Sequence, residues 1–492
     1  MYNEPFQQNR LEKAKLLHSR YNPQAEADRY ISSLSLGENI LFFILIEPGL
    51  GYITASLKTK FPKAKVIALH IEQPINEMTV KNPDSQWYLE TGTSVQDFLE
   101  TEIPDTKAEE IRLIEWRPAL SVYGQAYLAL LKETVEFIKR VDASARTYST
   151  FGQRWFRNFF KNLDISKSFI CPTPHSRPVL VTGAGPGLED TIPFIKEKRD
   201  EFFILASSSS AAALINEDIT PNLVISIDGT TWAKVHLYEL FRLKNASPPP
   251  LAAALTAALP SQYENFPLML ISDGSFWQTL ILNELKIPFI ALPQRGTVSA
   301  SALDMAFVIS EGEIFFTGFD LANRDIRSHA RPYCLDRFME EGAGRINPFY
   351  SQVYKRSSLL KEGGSYGIYA SWFKKQLSNY PKRLHSLGEN NQVFSSIETS
   401  IETSIKCGSG NSSRTLRGEK ASVSFETFTK KGNYSQKAYI ILEKALKKSN
   451  HSEILQKELI PMLFKGDERK SKPKIDELID ILAGFRRGEK NG

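Results

Sequence analysis

The stretch PVLVTGAGPGLEDTIPFIKE, residues 178–197, decides the fold of this chain. A β-branched and aliphatic run closes in a glycine-rich turn, and the turn opens a helix-like segment. That order places backbone N–H groups where a helix begins. Orphan amides and the positive end of the helix dipole then make a seat for a phosphate or another anion. Gly183, Gly185 and Gly187 let the backbone approach such a ligand without side chains in the way. Pro186 stands at the start of the helix, where its missing N–H costs nothing. A plain tight turn between strand and helix has the same residues, so the weight of the motif comes from its surroundings.

Those surroundings alternate. Across 146–345, strand candidates fall at 178–182, 202–206, 223–227, 251–256, 268–272, 289–292 and 313–318, with helix candidates at 209–216, 276–285 and 299–309 between them. Short apolar runs alternating with helical segments predict a central, mostly parallel α/β sheet domain with helices on both faces. Ligands of such a sheet sit outside the carboxyl ends of its strands. Polar residues cluster at those ends: Thr182-Gly183, Ser207 to Ser210, Asp228-Gly229, Asp273-Gly274 and Phe319-Asp320. One site built from several loops is the expectation.

Residues 1–145 predict a Rossmann-like α/β unit. The buried-strand run LFFILIE (41–47) ends in Pro48-Gly49-Leu50-Gly51, an amphipathic segment covers 52–60, and a second strand at 65–71 ends at Glu72. An acid about twenty residues beyond a glycine turn is placed to bind a ribose hydroxyl. The layout also resembles the first motif of S-adenosylmethionine-dependent methyltransferases, although Pro48 and Leu50 replace the small residues wanted there. A structural turn with no ligand is the competing reading. Residues 123–139 form a helix candidate, and WFRNFFKNL (155–163) reads as a helix anchoring the next domain. Residues 346–492 change character: a flexible Ser/Thr-rich insertion near 386–424 precedes amphipathic helices that form a C-terminal helical region.

Composition bounds the function. At 492 residues the chain is too long for one core. A net charge of +5 without a basic stripe interleaved with aromatics gives no support to nucleic-acid binding. Apolar runs are too short to cross a bilayer, so no membrane insertion is expected. The polar N-terminus lacks a signal-peptide pattern, and Cys171, Cys334 and Cys407 are scattered, which suggests neither a disulfide framework nor a zinc site. A cytoplasmic protein is the expectation.

Four ordered blocks in the central zone, VLVTGAGPGLED, ITPNLVISIDG, RGTVSASALDMAF and EIFFTGFDLANRDIRSHARPY, together resemble the motility accessory factor proteins. These are flagellin glycosyltransferases with a hydroxymethylpterin diphosphokinase-like core. The resemblance implies a core similar to the sialyltransferase-type variant of the GT-A architecture. It further implies transfer of a nonulosonic, sialic-acid-like sugar from its CMP-activated form to Ser or Thr of flagellin, with no cofactor beyond that donor. The family's loop reads G-x-G-P-S-L, whereas Gly187 stands here in place of the serine, which removes a hydroxyl able to contact the nucleotide.

Such a transfer needs a stabilised CMP leaving group and a base for the acceptor hydroxyl. Gly183, Gly185, Pro186 and Gly187 are candidates for the phosphate or the cytidine ribose. Thr297, Ser299 and Ser301 open a second loop-to-helix junction, either as caps or as ligand donors, with Arg295 a candidate partner for the sugar carboxylate or a plain surface arginine. Asp228 and Asp320 end strands and serve as sugar-orienting groups, metal ligands, a base, or turn aspartates. His329, with Arg327, Arg331 and Tyr333 nearby, is the candidate general base, and Asp320 stands in if it is not. The chain contains no D-x-D pair, which favours a mechanism without a metal. An ATP- and magnesium-dependent diphosphokinase using Asp228, Asp273 and Asp320, a methyltransferase working at Gly49 and Gly51, and a non-enzymatic flagellar accessory protein are the other readings.

Overall fold

The computed structural model of the chain describes residues 4–487 apart from 38, 74–78, 104–109, 243–246, 325–326, 362–364, 388–423, 431 and 465–474. The Ser/Thr-rich insertion, save for its two ends, and Cys407 lie outside the described residues. The chain divides into two compact units, Met1–Gly152 with Phe464–Asp467, and Gln153–Leu463 with Glu468–Gly492. Among the described residues no helix is long and apolar enough to cross a membrane.

The first unit is built on four parallel strands in the order β3-β2-β1-β4: β1 Phe42–Ile46, β2 Lys65–His70, β3 Ser85–Tyr88 and β4 Ile111–Ile114. FFILI of β1 is buried on both faces, as a central parallel strand must be. The helix Tyr52–Lys60 connects β1 to β2, completing the expected strand, glycine turn, helix and strand.

The second unit holds a ten-stranded sheet. Its strands are β5 Ser168–Pro172, β6 Val179–Thr182, β7 Phe203–Ser207, β8 Leu223–Ser226, β9 Leu251–Ala254, β10 Leu268–Ser272, β11 Ile290–Ala291, β12 Ile314–Thr317, β13 Leu384–Ser386 and β14 Phe425–Thr429. They run in the order β13-β12-β6-β7-β8-β9-β10-β5-β14, with β11 on β10. Every pairing is parallel except β14 against β5. Strands β6, β7, β8 and β10 are buried at every residue, so both faces are covered. On one face Val181, Leu205 and Ile225 pack with Ala302, Met305 and Ile309 of the helix Val298–Ile309.

Connectivity fixes where a ligand belongs. From β6 the chain steps through β7, β8, β9 and β10 to one side, then returns through β12 to the other side of β6. The reversal between β6 and β12 is the switch point that opens a crevice in such sheets.

The region after residue 346 returns two strands, β13 and β14, to the sheet and sends three helices onto the second unit. These helices, Tyr434–Leu446, Ser449–Leu463 and Ile475–Arg487, meet the aromatic segment 155–163 near the end of the helical stretch Arg117–Ile165, which is interrupted at Gly124 (φ +52°). Phe160 stacks on Tyr439 at 3.8 Å and Phe156 lies 5.2 Å from Phe485, while Phe159 and Phe156 pack against Trp277. Glu458 caps the helix Phe276–Glu284 from outside, accepting from the amides of Phe276 (2.8 Å) and Trp277 (2.9 Å).

Candidate functional site

At the β6–β12 crevice the glycine turn has a different purpose from the one its sequence suggests. Gly183 N donates to Thr317 O and Gly185 N to Gly318 O, both at 2.8 Å, which continues the strand pairing into the turn. Gly187 N donates to both carboxylate oxygens of Asp320 at 3.1 Å. Leu188 and Glu189 amides close on the carbonyls of Gly185 and Pro186. The anion at this helix start is therefore the protein's own Asp320, and the expectation that these amides face a phosphate is corrected. The glycines are required for that contact: a Cβ on Gly185 would lie 1.9 Å from Asp320 Oδ2, and one on Gly187 2.4 Å from Oδ1. Gly187 in place of a serine is thus matched to the carboxylate it accommodates.

The segment after Asp320 is strapped across the same helix. Arg324 grips Asp190 with both guanidinium nitrogens, Arg327 Nη1 reaches both oxygens of Glu189 (3.0 and 2.8 Å), and Arg331 N donates to Glu189 Oε1 at 2.9 Å. Ala330 N bonds Ala184 O at 2.8 Å. Two acids in the first turn of the helix Leu188–Glu197 complement its dipole, and the arginines balance their charge. Asp320 itself is 8% exposed, and burial pushes its carboxyl above the usual carboxylate range against the opposing Gly187 amide.

His329 lies beside the Ala330–Ala184 contact, its ring stacked on Tyr333 at 3.9 Å and 1°, with Ser328 Oγ 2.8 Å from Nδ1. Tyr333 continues to His236 at 5.4 Å, and His236 Nδ1 is 2.7 Å from Cys334 Sγ. Burial holds His236 below its ordinary value and pushes the Cys334 thiol up to about 12. Asp228 bonds Thr230 through its amide (2.8 Å) and hydroxyl (2.9 Å). Asp273 accepts from Ser275 N and Gln294 Nε2, both at 2.9 Å. Asp228 is a turn aspartate held by its own loop, and Asp273 is held by its own turn and by Gln294 of the loop after β11. Among the described residues no three His, Cys, Asp or Glu side chains form a metal-sized group.

The junction at residue 297 is different. The helix Val298–Ile309 ends beside the start of β6, where His175 N bonds Ile309 O and Ser310 Oγ bonds Arg177 O, so its N-terminus lies at the carboxyl end of the sheet. Its first intrahelical bond is Ser301 N to Thr297 O, which leaves the amides of Val298, Ser299 and Ala300 without helical partners. Thr297 is the N-cap residue, yet its side chain makes no capping bond. Neither its hydroxyl nor that of Ser299 has a hydrogen-bond partner among the described residues. Gly296, at φ +73°, sets the approach to this helix. Arg295 is engaged elsewhere, bonded to Asp304 at 2.7 Å and lying over Trp372, so it does not await a sugar carboxylate. Among the described residues this helix start thus keeps three amides without helical partners and two hydroxyls without a hydrogen bond.

Two asparagines that carry no obvious chemistry hold the neighbouring loops. Asn162 Nδ2 donates to Leu255 O (2.9 Å) and Ala257 O (2.7 Å), and Asn158 Nδ2 to Gly229 O (3.2 Å) and Thr256 O (2.9 Å). Their spacing of four residues within an aromatic helix was the available signal: it puts two amides on one face.

The first unit repeats the lesson of Asp320. Its glycine turn, with Gly49 at φ +62° and Gly51 at φ +81°, is filled by His18, whose Nε2 accepts from Leu50 N at 2.9 Å. Burial lowers His18 to about 4, consistent with a neutral acceptor. Glu72, the expected ribose ligand, pairs with Lys13 at 2.5 Å. The remaining cavity there, lined by Gly49, Gly51, Thr54, His70 and Gln86, has about 10 Å³, the size of one water.

Comparison with known proteins bears on the second unit. Residues 153–325 match the family model described as 6-hydroxymethylpterin diphosphokinase MptE-like. An uncharacterised protein of Treponema pallidum (strain Nichols) is 26% identical over 318 residues, covering 63% of this chain and 67% of that one. A second from the same organism is 23% identical over 376 residues, covering 70% of this chain and 62% of its own length. Among solved structures, the MAf glycosyltransferase from Magnetospirillum magneticum AMB-1 aligns with a TM-score of 0.43 and 12% identity, covering 91% of this chain and 73% of that one. At that score the likeness carries no argument.

Proposed function

We propose that this chain, built around an MptE-like α/β region, is a cytoplasmic glycosyltransferase that moves a nonulosonic sugar from a CMP-activated donor to Ser or Thr of flagellin. The observation that carries the reading is the open helix start at Thr297–Ala300, on the carboxyl side of the same sheet whose switch point holds Asp320. The four sequence blocks that resemble the motility accessory factors supply the sugar and acceptor classes.

In the proposed reaction the acceptor hydroxyl oxygen attacks the anomeric carbon. The bond from that carbon to the phosphate oxygen breaks, and CMP leaves with the bonding pair. Charge grows on the departing phosphate, where the amides of Val298, Ser299 and Ala300 and the hydroxyls of Thr297 and Ser299 meet it without reorganising. The acceptor proton passes to His329 or to Asp320. The environment of Asp320 raises its basicity above that of an ordinary carboxylate.

The description of the matching family model favours a second reading, diphosphoryl transfer from ATP. It would need carboxylates converging on magnesium, and Asp228, Asp273 and Asp320 are each held by separate partners.

Calorimetric titration of the full chain with CMP checks the proposal. Thr297→Val with Ser299→Ala removes two hydroxyls without touching the core and is expected to weaken CMP binding at this site about 100-fold or more, as losing two hydrogen bonds to a charged group would. Unchanged affinity would move the donor away from this helix.

A further inference from the structure

A second site lies elsewhere in the second unit. The segment 157–165 and the helices Tyr434–Leu446 and Ile475–Arg487 enclose a cavity of about 510 Å³ that shares no residue with the strand-tip site. Its floor is aromatic and well buried: Phe160 and Tyr439 stack face to face at 3.8 Å and 9°, with Phe485 beside them. Its rim carries Arg157, Lys161, Arg486 and one acid, Asp164.

That acid is committed. Lys430 Nζ lies 2.6 Å from Asp164, and the amides of Tyr434 and Ser435 donate to it at 2.9 and 3.3 Å. Burial works against its ionisation, but these partners outweigh it and hold the carboxyl below the usual range. Three cations therefore face the cavity with no uncommitted carboxylate among its lining residues. Arg486 hydrogen-bonds the amide oxygen of Gln436 at 2.8 Å and interacts by charge with Glu443, which is itself paired with Lys447, and the Arg157 guanidinium lies 5.3 Å over Phe485. Lys161 has no acid partner among the described residues. Lys234, which also has none, is held below the ordinary lysine range by burial and then by the charge of Lys161.

We propose that this cavity binds a nucleoside phosphate, its flat ring against the aromatic floor and its phosphate among Arg157, Lys161 and Arg486. The volume suits a small molecule rather than a polypeptide, and the pairing of aromatic floor with cationic rim suits a ring that carries phosphate. This site is independent of the donor reading: it uses other residues, and an occupant here would regulate or supplement whatever the strand tips do.

The test is titration of the full chain with AMP and pyrophosphate at low salt. The expected result is AMP binding that weakens at least tenfold in Lys161→Glu with Arg486→Glu and survives Lys161→Arg with Arg486→Lys. Photolabelling of the wild-type chain with an azido-adenosine phosphate, mapped by peptide mass, is expected to mark 434–440 or 481–487, which keeps the test independent of how the variants fold. AMP binding untouched by the charge reversals, labelling only near 296–301, or pyrophosphate binding as tightly as AMP would overturn the proposal.

Discussion

Asp320→Asn is expected to leave the chain folded and to lower sugar transfer by about 100-fold or more, the usual scale for losing an acid–base group. The variant can still accept a hydrogen bond from Gly187 through its amide oxygen, so the turn keeps its closure. The pH dependence is the sharper signature. Burial raises the folded carboxyl above its unfolded value. Between those two values the folded chain holds a proton that the unfolded chain has released, so this group's contribution to wild-type stability falls as pH rises through that window and then levels off. Asn does not titrate. Relative to wild type, the variant should therefore gain thermal stability as pH rises from about 4. Parallel melting curves check the stability claim and a transfer assay the rate. A stability difference that stays flat with pH would show that the carboxyl is not perturbed, and full activity would remove Asp320 from the chemistry.

Asn162→Leu should be the most damaging of the conservative changes in the second unit. The volume is kept, but the carbonyls of Leu255 and Ala257 lose the amide that bridges them in a site only 1% exposed. Leaving two buried acceptors without that donor costs about 2–4 kcal/mol, and for a unit of this size that lowers the melting temperature by about 3–6 °C. Calorimetry that finds the transition unmoved would mean that the post-β9 loop is held by other contacts.

Most of the central sheet was legible because buried parallel strands are written as unbroken apolar runs. VLV, FFILA, LVIS, LMLIS and IFFT each end where a polar loop begins, and the structure places β6, β7, β8, β10 and β12 on them. The edges were harder. LHS of β13 and FETFT of β14 are short and polar, and their pairing partners lie far away in sequence. Both glycine turns were found, but what fills them was not. Asp320 reaches Gly187 across 133 residues and His18 reaches Leu50 across 32, and no local pattern announces either contact. A glycine turn specifies a backbone that something can approach closely. Whether a ligand or the chain's own side chain makes that approach is decided by tertiary structure.

The same contrast provides the most direct measurement. The amides of Gly183, Gly185 and Gly187 are already hydrogen-bonded inside the protein, whereas those of Val298, Ser299 and Ala300 lack helical partners. Hydrogen–deuterium exchange of the full chain, with and without saturating CMP, reads this difference peptide by peptide. The donor reading predicts slowed exchange across 296–301 and little change across 183–189. Protection at 183–189, or none anywhere along the strand tips, would contradict it.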